Sequence, residues 1–253
     1  MNKTHGLRRV TLTGVDETTD LDKLHELCIK YPFAEVGVLL SLDRAGKEPR
    51  YPHVSLLKDL KRPGFKIAVH LCGRIARNAV VCPQQVMDAL YVLFNDVRAP
   101  MTIADILEMS CDEHTDFTFE RVQINVGTNP SKWPPLDLLE NVVYNQVEIQ
   151  AILQTSNFQD VYEHPAIKFL HDCSGGRGIE TQDRFDSPGD LKYVGFAGGI
   201  KPGNVETVIQ RIESLGEFDY WIDAESGLRD QFDCLDLSAV EEYLDSCRPF
   251  VVS

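Results

Sequence analysis

Phe196-Ala197-Gly198-Gly199-Ile200-Lys201-Pro202-Gly203-Asn204-Val205 reads as the end of a strand, a glycine pair and the start of a helix. Tyr193–Gly199 is the strand, and Val205–Leu215 is the helix, with Asn204 as its N-cap. The stretch is therefore one βα unit, and the same reading repeats along the chain. β-rich segments fall at Arg9–Val15, Glu35–Ser41, Lys66–Cys72, Arg121–Val126, Val147–Gln154, Ala166–Asp172, Tyr193–Gly199 and Asp219–Asp223. Helical patterns follow at Leu21–Tyr31, Leu136–Tyr144 and Ser238–Cys247, with Ser238 read as an N-cap. Eight strands in βα alternation predict a parallel sheet closed into a (β/α)8 TIM barrel, whereas an open doubly wound sheet usually carries fewer units. The 253 residues suit one such barrel, so 1–253 reads as a single domain. Gly73–Thr118 is too long for one helix and two loops, and predicts an extra helical region over about 74–118, between strands three and four.

Period-2 alternation assigns the faces. Ile67, Val69 and Leu71 alternate with Lys66, Ala68, His70 and Cys72, while Val122, Ile124 and Val126 alternate with Gln123 and Asn125. Val147, Ile149, Ala151 and Leu153 likewise alternate with Glu148, Gln150, Ile152 and Gln154. The outer face of a barrel strand packs on helices, so the polar phase is expected to fill the lumen. The inward residues at the strand ends are then Thr13, Ser41, His70 or Cys72, Asn125, Gln154, Asp172, Gly199 and Asp223. Barrel active sites occupy that end.

Composition narrows the partners. A formal charge of −14 repels polyphosphate, which argues against nucleic acid and anionic membranes. No apolar run nears the roughly 20 residues of a bilayer span, and Met1–His5 lacks the apolar stretch of a signal peptide. The seven cysteines are odd in number and contain no Cys-x-x-Cys pair, which favours reduced thiols in a cytoplasmic protein. Metal binding lacks a His-x-His or paired carboxylates at ligand spacing, and no cofactor is expected.

The chemistry-bearing residues cluster at the predicted mouth. Gly198 and Gly199 open backbone N–H groups to an anion at a helix start, and Ser226-Gly227 repeats the offer after strand eight. Strands seven and eight are where barrels commonly hold phosphate, although each glycine alone also suits a tight turn. Asp172 ends strand six and reads as a proton-exchanging carboxylate or as a plain helix-capping or loop aspartate. His70 and Cys72 are each a candidate base or nucleophile, with a satisfied lumen histidine and an inert thiol as the simpler alternatives. Gly175-Gly176-Arg177-Gly178 reads as a lid or a plain surface loop. Lys168 also points inward, as a Schiff-base lysine would. It sits about 13 Å below Asp172 at roughly 3.3 Å per residue, so a bottom-layer ion pair of Lys168 and Lys66 with Glu148 is expected instead.

These residues give the chain a resemblance to the phosphoribosylanthranilate isomerases, over about Arg9 to Arg229. Ala197–Val205 resembles the family's Ala-Gly-Gly-Leu-x-Pro-x-Asn-Val, and Asp223-Ala224-Glu225-Ser226-Gly227 resembles its Asp-x-Ser-Ser-Gly. Asp172 with Gly175–Gly178 resembles its strand-six aspartate and Gly-Gly-Thr-Gly loop. Glu48-Pro49-Arg50-Tyr51 resembles its Ser-Pro-Arg-Tyr, and Val122-Gln123-Ile124-Asn125 its Val-Gln-Leu-His. The resemblance implies an Amadori-type isomerisation of a phosphoribosyl amine. Phosphate would lie on Gly198, Gly199, Ser226 and Gly227, Arg50 would hold a substrate carboxylate, and Asp172 would be the general acid. Thr13, Asn125, Arg177 and Asp223 would complete the substrate contacts. Thr13 stands where the family has its cysteine base, Asn125 replaces its histidine, and Arg229 replaces an acidic residue. The expected function is an isomerase of altered chemistry acting on a small phosphorylated metabolite. A non-catalytic binder of such a ligand and a Lys168 lyase are the alternatives.

Overall fold

The computed structural model describes residues 4–41, 43–53, 56–60, 62–81, 119–137, 139, 150–172 and 185–252. Eight parallel strands close into a barrel in sequence order: β1 (Leu7–Thr13), β2 (Ala34–Ser41), β3 (Ile67–Cys72), β4 (Arg121–Asn125), β5 (Gln150–Thr155), β6 (Ile167–Asp172), β7 (Tyr193–Ala197) and β8 (Asp219–Ala224). Closure runs through β1 and β8, where Thr11 lies opposite Asp223. Among the described residues the helices are α1 (Leu21–Lys30), α2 (Leu56–Asp59), α3 (Arg74–Val81), α4 (Val205–Glu213) and α5 (Leu237–Cys247). The expected helical region over 74–118 is described only as far as α3, and its stretches from Pro83 to Asp116 lie outside the described residues.

The outward strand phase forms one apolar layer with the helices. Val10, Leu12, Val36, Val38, Val69, Leu71, Ile124, Leu153 and Phe169 pack with Leu24, Leu27, Val208, Ile212, Val240 and Leu244. This burial supplies the main drive to fold. Inside the barrel, Ile152, Leu170, Ala197 and Trp221 form a small separate cluster. Gly195 makes room for it, since a Cβ there would stand 2.3 Å from the Trp221 ring and 2.6 Å from Leu170.

The bottom of the lumen is ionic. Glu35, fully buried, accepts from Arg9 at 2.7 Å and from Thr11 at 2.9 Å, and pairs with Arg121 at 2.7 Å. Burial alone would raise the Glu35 carboxyl, but the Arg121 and Arg9 guanidiniums hold it below the ordinary carboxylate range. Lys168 does make a bottom-layer pair, with Glu163 at 3.0 Å and the His164 carbonyl at 2.8 Å. Lys66 instead turns out of the lumen and donates to the Pro32 carbonyl, because it precedes β3 rather than lying within it. Glu148 lies outside the described residues.

Two caps differ from expectation. Asp236, not Ser238, caps α5, accepting from the Ser238 and Ala239 N–H groups, since α5 begins one residue earlier than its apolar pattern suggests. Asn204 occupies the N-cap position of α4 without capping it. Its Oδ1 accepts from Lys201 N–H and its Nδ2 donates to the Gly199 carbonyl, both at 2.9 Å. Asn204 thus braces the turn that carries the glycine pair.

Candidate active site

A cavity opens at the C-terminal ends of the strands. Its walls are His70, Gln123, Asn125, Gln154, Asp172 and Asp223, and its rim is Gly198, Gly199, Ser226 and Gly227, with Glu225 beside them. Gly198 and Gly199 adopt φ of 113° and 65°, a region that favours glycine. Gly227 is required by packing: a Cβ there would stand 2.1 Å from the Ile200 carbonyl oxygen, so the loops after β7 and β8 touch at this point. Asp172 and Asp223 project from β6 and β8 into the same space, each almost fully buried.

On the β1–β8 side, Thr13 Oγ1 donates to Asp223 Oδ1 at 2.6 Å. The loop after β2 brings Arg50 across to the loop after β8. Its Nη1 donates to Glu225 at 2.6 Å, and its Nε and Nη2 grip Asp233 at 3.0 and 2.5 Å. Asp233 is held from the other side by the buried Arg229, whose Nε donates to it at 3.0 Å and whose Nη2 pairs with Asp16 at 2.9 Å. Asp233 adopts φ 62°, the one positive φ outside glycine among the described residues. That conformation is uncommon for a residue with a side chain and here presents one carboxylate to two guanidiniums.

No family model matches the sequence, and no curated protein matches it. Solved structures match over nearly the whole chain. Phosphoribosylanthranilate isomerase of Thermus thermophilus aligns at a TM-score of 0.57 and 13% identity, covering 95% of this chain and 98% of the other. Monomers of the dimeric enzyme of Thermotoga maritima align at 0.54 and 16%, covering 96% and 99%. A phosphoribosylanthranilate isomerase in complex with reduced 1-(o-carboxyphenylamino)-1-deoxyribulose 5-phosphate aligns at 0.52 and 14%, covering 96% and 100%. The fold is that of the phosphoribosylanthranilate isomerases. At these identities the likeness is one of fold alone.

On this isomerase-like barrel the titratable groups of the mouth differ sharply. Burial raises the Asp223 carboxyl, the Thr13 hydrogen bond pulls it back, and the Glu225 charge raises it again, leaving it near 7. Burial pushes the Cys72 thiol up to about 12, although Asn125 donates to its sulfur at 3.3 Å. Burial lowers His70 to about 4, so its imidazole is neutral at physiological pH. His70 Nε2 has no hydrogen-bond partner among the described residues.

The structure brings Thr13, His70, Cys72, Asn125, Asp172, Gly198, Gly199, Asp223, Ser226 and Gly227 to one end of the barrel, with Arg50 at its edge. Arg177 and the loop Gly175–Gly178 lie outside the described residues. Lys168 sits at the opposite end, engaged with Glu163. Sequence reasoning missed Asp233 and gave Glu225 no role. Arg229, visible only as a departure from the motif, was the available signal, because a new cation at a barrel mouth needs anions to pair with.

No helix among the described residues is long and apolar enough to cross a membrane.

Proposed function

We propose that this chain is an intramolecular isomerase that binds a small phosphorylated sugar or phosphoribosyl compound at the mouth of its barrel. The observation that carries the reading is the placement of two buried carboxyl groups, Asp172 and Asp223, in one cavity rimmed by Gly198, Gly199, Ser226 and Gly227. Backbone N–H groups at such a rim suit a phosphate, and the helix that follows Gly199 adds the positive end of its dipole.

An aldose-to-ketose rearrangement of a phosphoribosyl amine needs two proton transfers. An acid protonates the ring oxygen as the ring opens, and a base takes a proton from the neighbouring carbon. Asp172 is assigned the acid. Asp223 is assigned the base, because a proton acceptor works best when its pKa lies near the operating pH. Cys72 remains a protonated thiol at neutral pH, and the weakly basic His70 is assigned a hydrogen bond to the ligand. Thr13 orients Asp223 and does not itself exchange a proton.

Proton NMR of ribose 5-phosphate with the purified chain in D2O tests this reading. Loss of the C2 proton with deuterium appearing at C1 of the ketose is expected, and Asp223→Asn should abolish both. Binding without exchange or turnover of phosphorylated sugars would instead identify a non-catalytic binding protein.

A further inference from the structure

The proposed site carries a charge pattern that restricts its ligand. Arg50 is the cation that the motif resemblance offers to a substrate carboxylate. All three of its nitrogens are already engaged: Nη1 on Glu225 at 2.6 Å, and Nε and Nη2 on Asp233 at 3.0 and 2.5 Å. The fork on Asp233 is bidentate, the strongest geometry a guanidinium has. Asp233 is fixed in turn by Arg229, and its N–H donates to the Asp230 carbonyl. The clasp is therefore built into the loops rather than a chance contact of a long side chain. It lies beside a cavity whose described lining includes Asp172, Asp223 and Glu225 and neither lysine nor arginine. Gln123, Asn125 and Gln154 add further acceptor oxygens.

A substrate carboxylate arriving at Arg50 would have to displace Glu225, leaving it without its cation beside the new charge, or displace Asp233, which would keep Arg229 alone. Bringing a second carboxylate against Glu225 adds like-charge repulsion that one rim contact does not repay. We propose, resting on the phosphorylated-ligand reading above, that the site selects a phosphorylated sugar whose distal part donates hydrogen bonds, through hydroxyl or amine groups, and rejects one that bears a carboxylate there. Glu225 and Asp233 are the specificity-determining residues, because they occupy the guanidinium that would otherwise accept the acid.

Calorimetric titration of the full chain with three ligands tests this. They are ribulose 5-phosphate, reduced 1-(o-carboxyphenylamino)-1-deoxyribulose 5-phosphate, and its counterpart lacking the carboxyl group. The counterpart should bind at least as tightly as the carboxylated ligand. Glu225→Gln combined with Asp233→Asn should shift that ratio tenfold or more towards the carboxylate, by freeing Arg50. Arg50→Ala, which strips Glu225 of its cation, should leave the ratio of the parent unchanged or move it further against the carboxylate. A tenfold preference of the parent for the carboxylated ligand that Arg50→Ala abolishes overturns the inference. So does an unchanged ratio in the folded double variant. If that variant does not fold, the Arg50→Ala ratio alone decides. Failure of all three ligands to bind overturns the phosphorylated-ligand reading itself, and this inference with it.

Discussion

Thr13 Oγ1 donates a 2.6 Å hydrogen bond to Asp223 Oδ1, tying the end of β1 to the end of β8 at the point where the barrel closes. Gly37 on β2 permits this arrangement, since a Cβ there would stand 2.3 Å from the Thr13 oxygen. The bond fixes the lone pairs of a carboxyl group that burial has brought near 7. On the proposed reading Thr13 orients Asp223, and the proton acceptor lies on the neighbouring strand.

Asp223→Asn should stabilise the protein at neutral pH while removing its activity. The folded pKa, near 7, lies above the unfolded value of about 3.9, so the native state holds the proton more tightly. The stability that this group contributes is present below about pH 4 and is lost as pH rises to 7, at about 1.4 kcal/mol per pH unit at most. Asparagine keeps the Thr13 acceptor and cannot ionise. Urea denaturation from pH 5 to 8 should show the variant's advantage growing up to pH 7 and then levelling. A constant difference across that range would contradict the assignment.

Glu35→Gln should cost roughly 3–5 kcal/mol at pH 7, because it leaves the buried Arg121 and the partly buried Arg9 without their shared anion. Glu35 is held below the ordinary carboxylate range, so its contribution is present above the unfolded value of about 4.3 and fades as pH falls through its folded value. Chemical denaturation at pH 7 and at acidic pH should therefore show a difference that shrinks on acidification.

Much of this architecture is legible in the sequence because alternation is a local signal. Ile67, Val69 and Leu71 do face the helices, while His70 and Gln123 do line the cavity. The pairing of charges is not legible, because it joins residues remote in the chain. Arg50 meets Asp233 across 183 positions, and nothing near either residue marks the other. Lys66 shows the same limit on a smaller scale: extending β3 back by one residue placed it in the lumen by phase, yet its side chain lies outside. Asn204 carries a motif match whose physical meaning, bracing the Gly199 turn, appears only once its two hydrogen bonds are seen.

Gly199→Val should weaken binding of ribulose 5-phosphate by tenfold or more while leaving a dephosphorylated sugar unaffected. Gly199 has φ 65°, which a β-branched residue resists, and a side chain there blocks backbone approach to an anion. Gly203→Ala is the control, since its Cβ would meet nothing within 4 Å. Titration calorimetry with both ligands measures the contrast, and equal losses for the two sugars would place the phosphate elsewhere.

The chain should not efficiently isomerise phosphoribosylanthranilate, and restoring one residue should not be enough. Two independent features stand in the way. Thr13 cannot accept a proton at neutral pH, so the proposed base is Asp223, one strand away, and a reacting group misplaced by about 1 Å can cost roughly 10²-fold in rate. Arg50, occupied by Glu225 and Asp233, is not available to the anthranilate carboxylate. Thr13→Cys alone therefore supplies a thiol but leaves the substrate's acid unheld, and it also breaks the hydroxyl contact to Asp223. Thr13→Cys with Glu225→Gln and Asp233→Asn addresses both features. The measurement is the loss of phosphoribosylanthranilate fluorescence with each purified variant, supported by rescue of a tryptophan auxotroph that lacks the isomerase. The parent and the single variant should show no turnover, and the triple variant should show the first measurable rate. Parent turnover at about 1–10³ s⁻¹, the ordinary range for enzymes, would refute both arguments at once. Activity in Thr13→Cys alone would leave the base argument standing and show that Arg50 exchanges its partners for substrate.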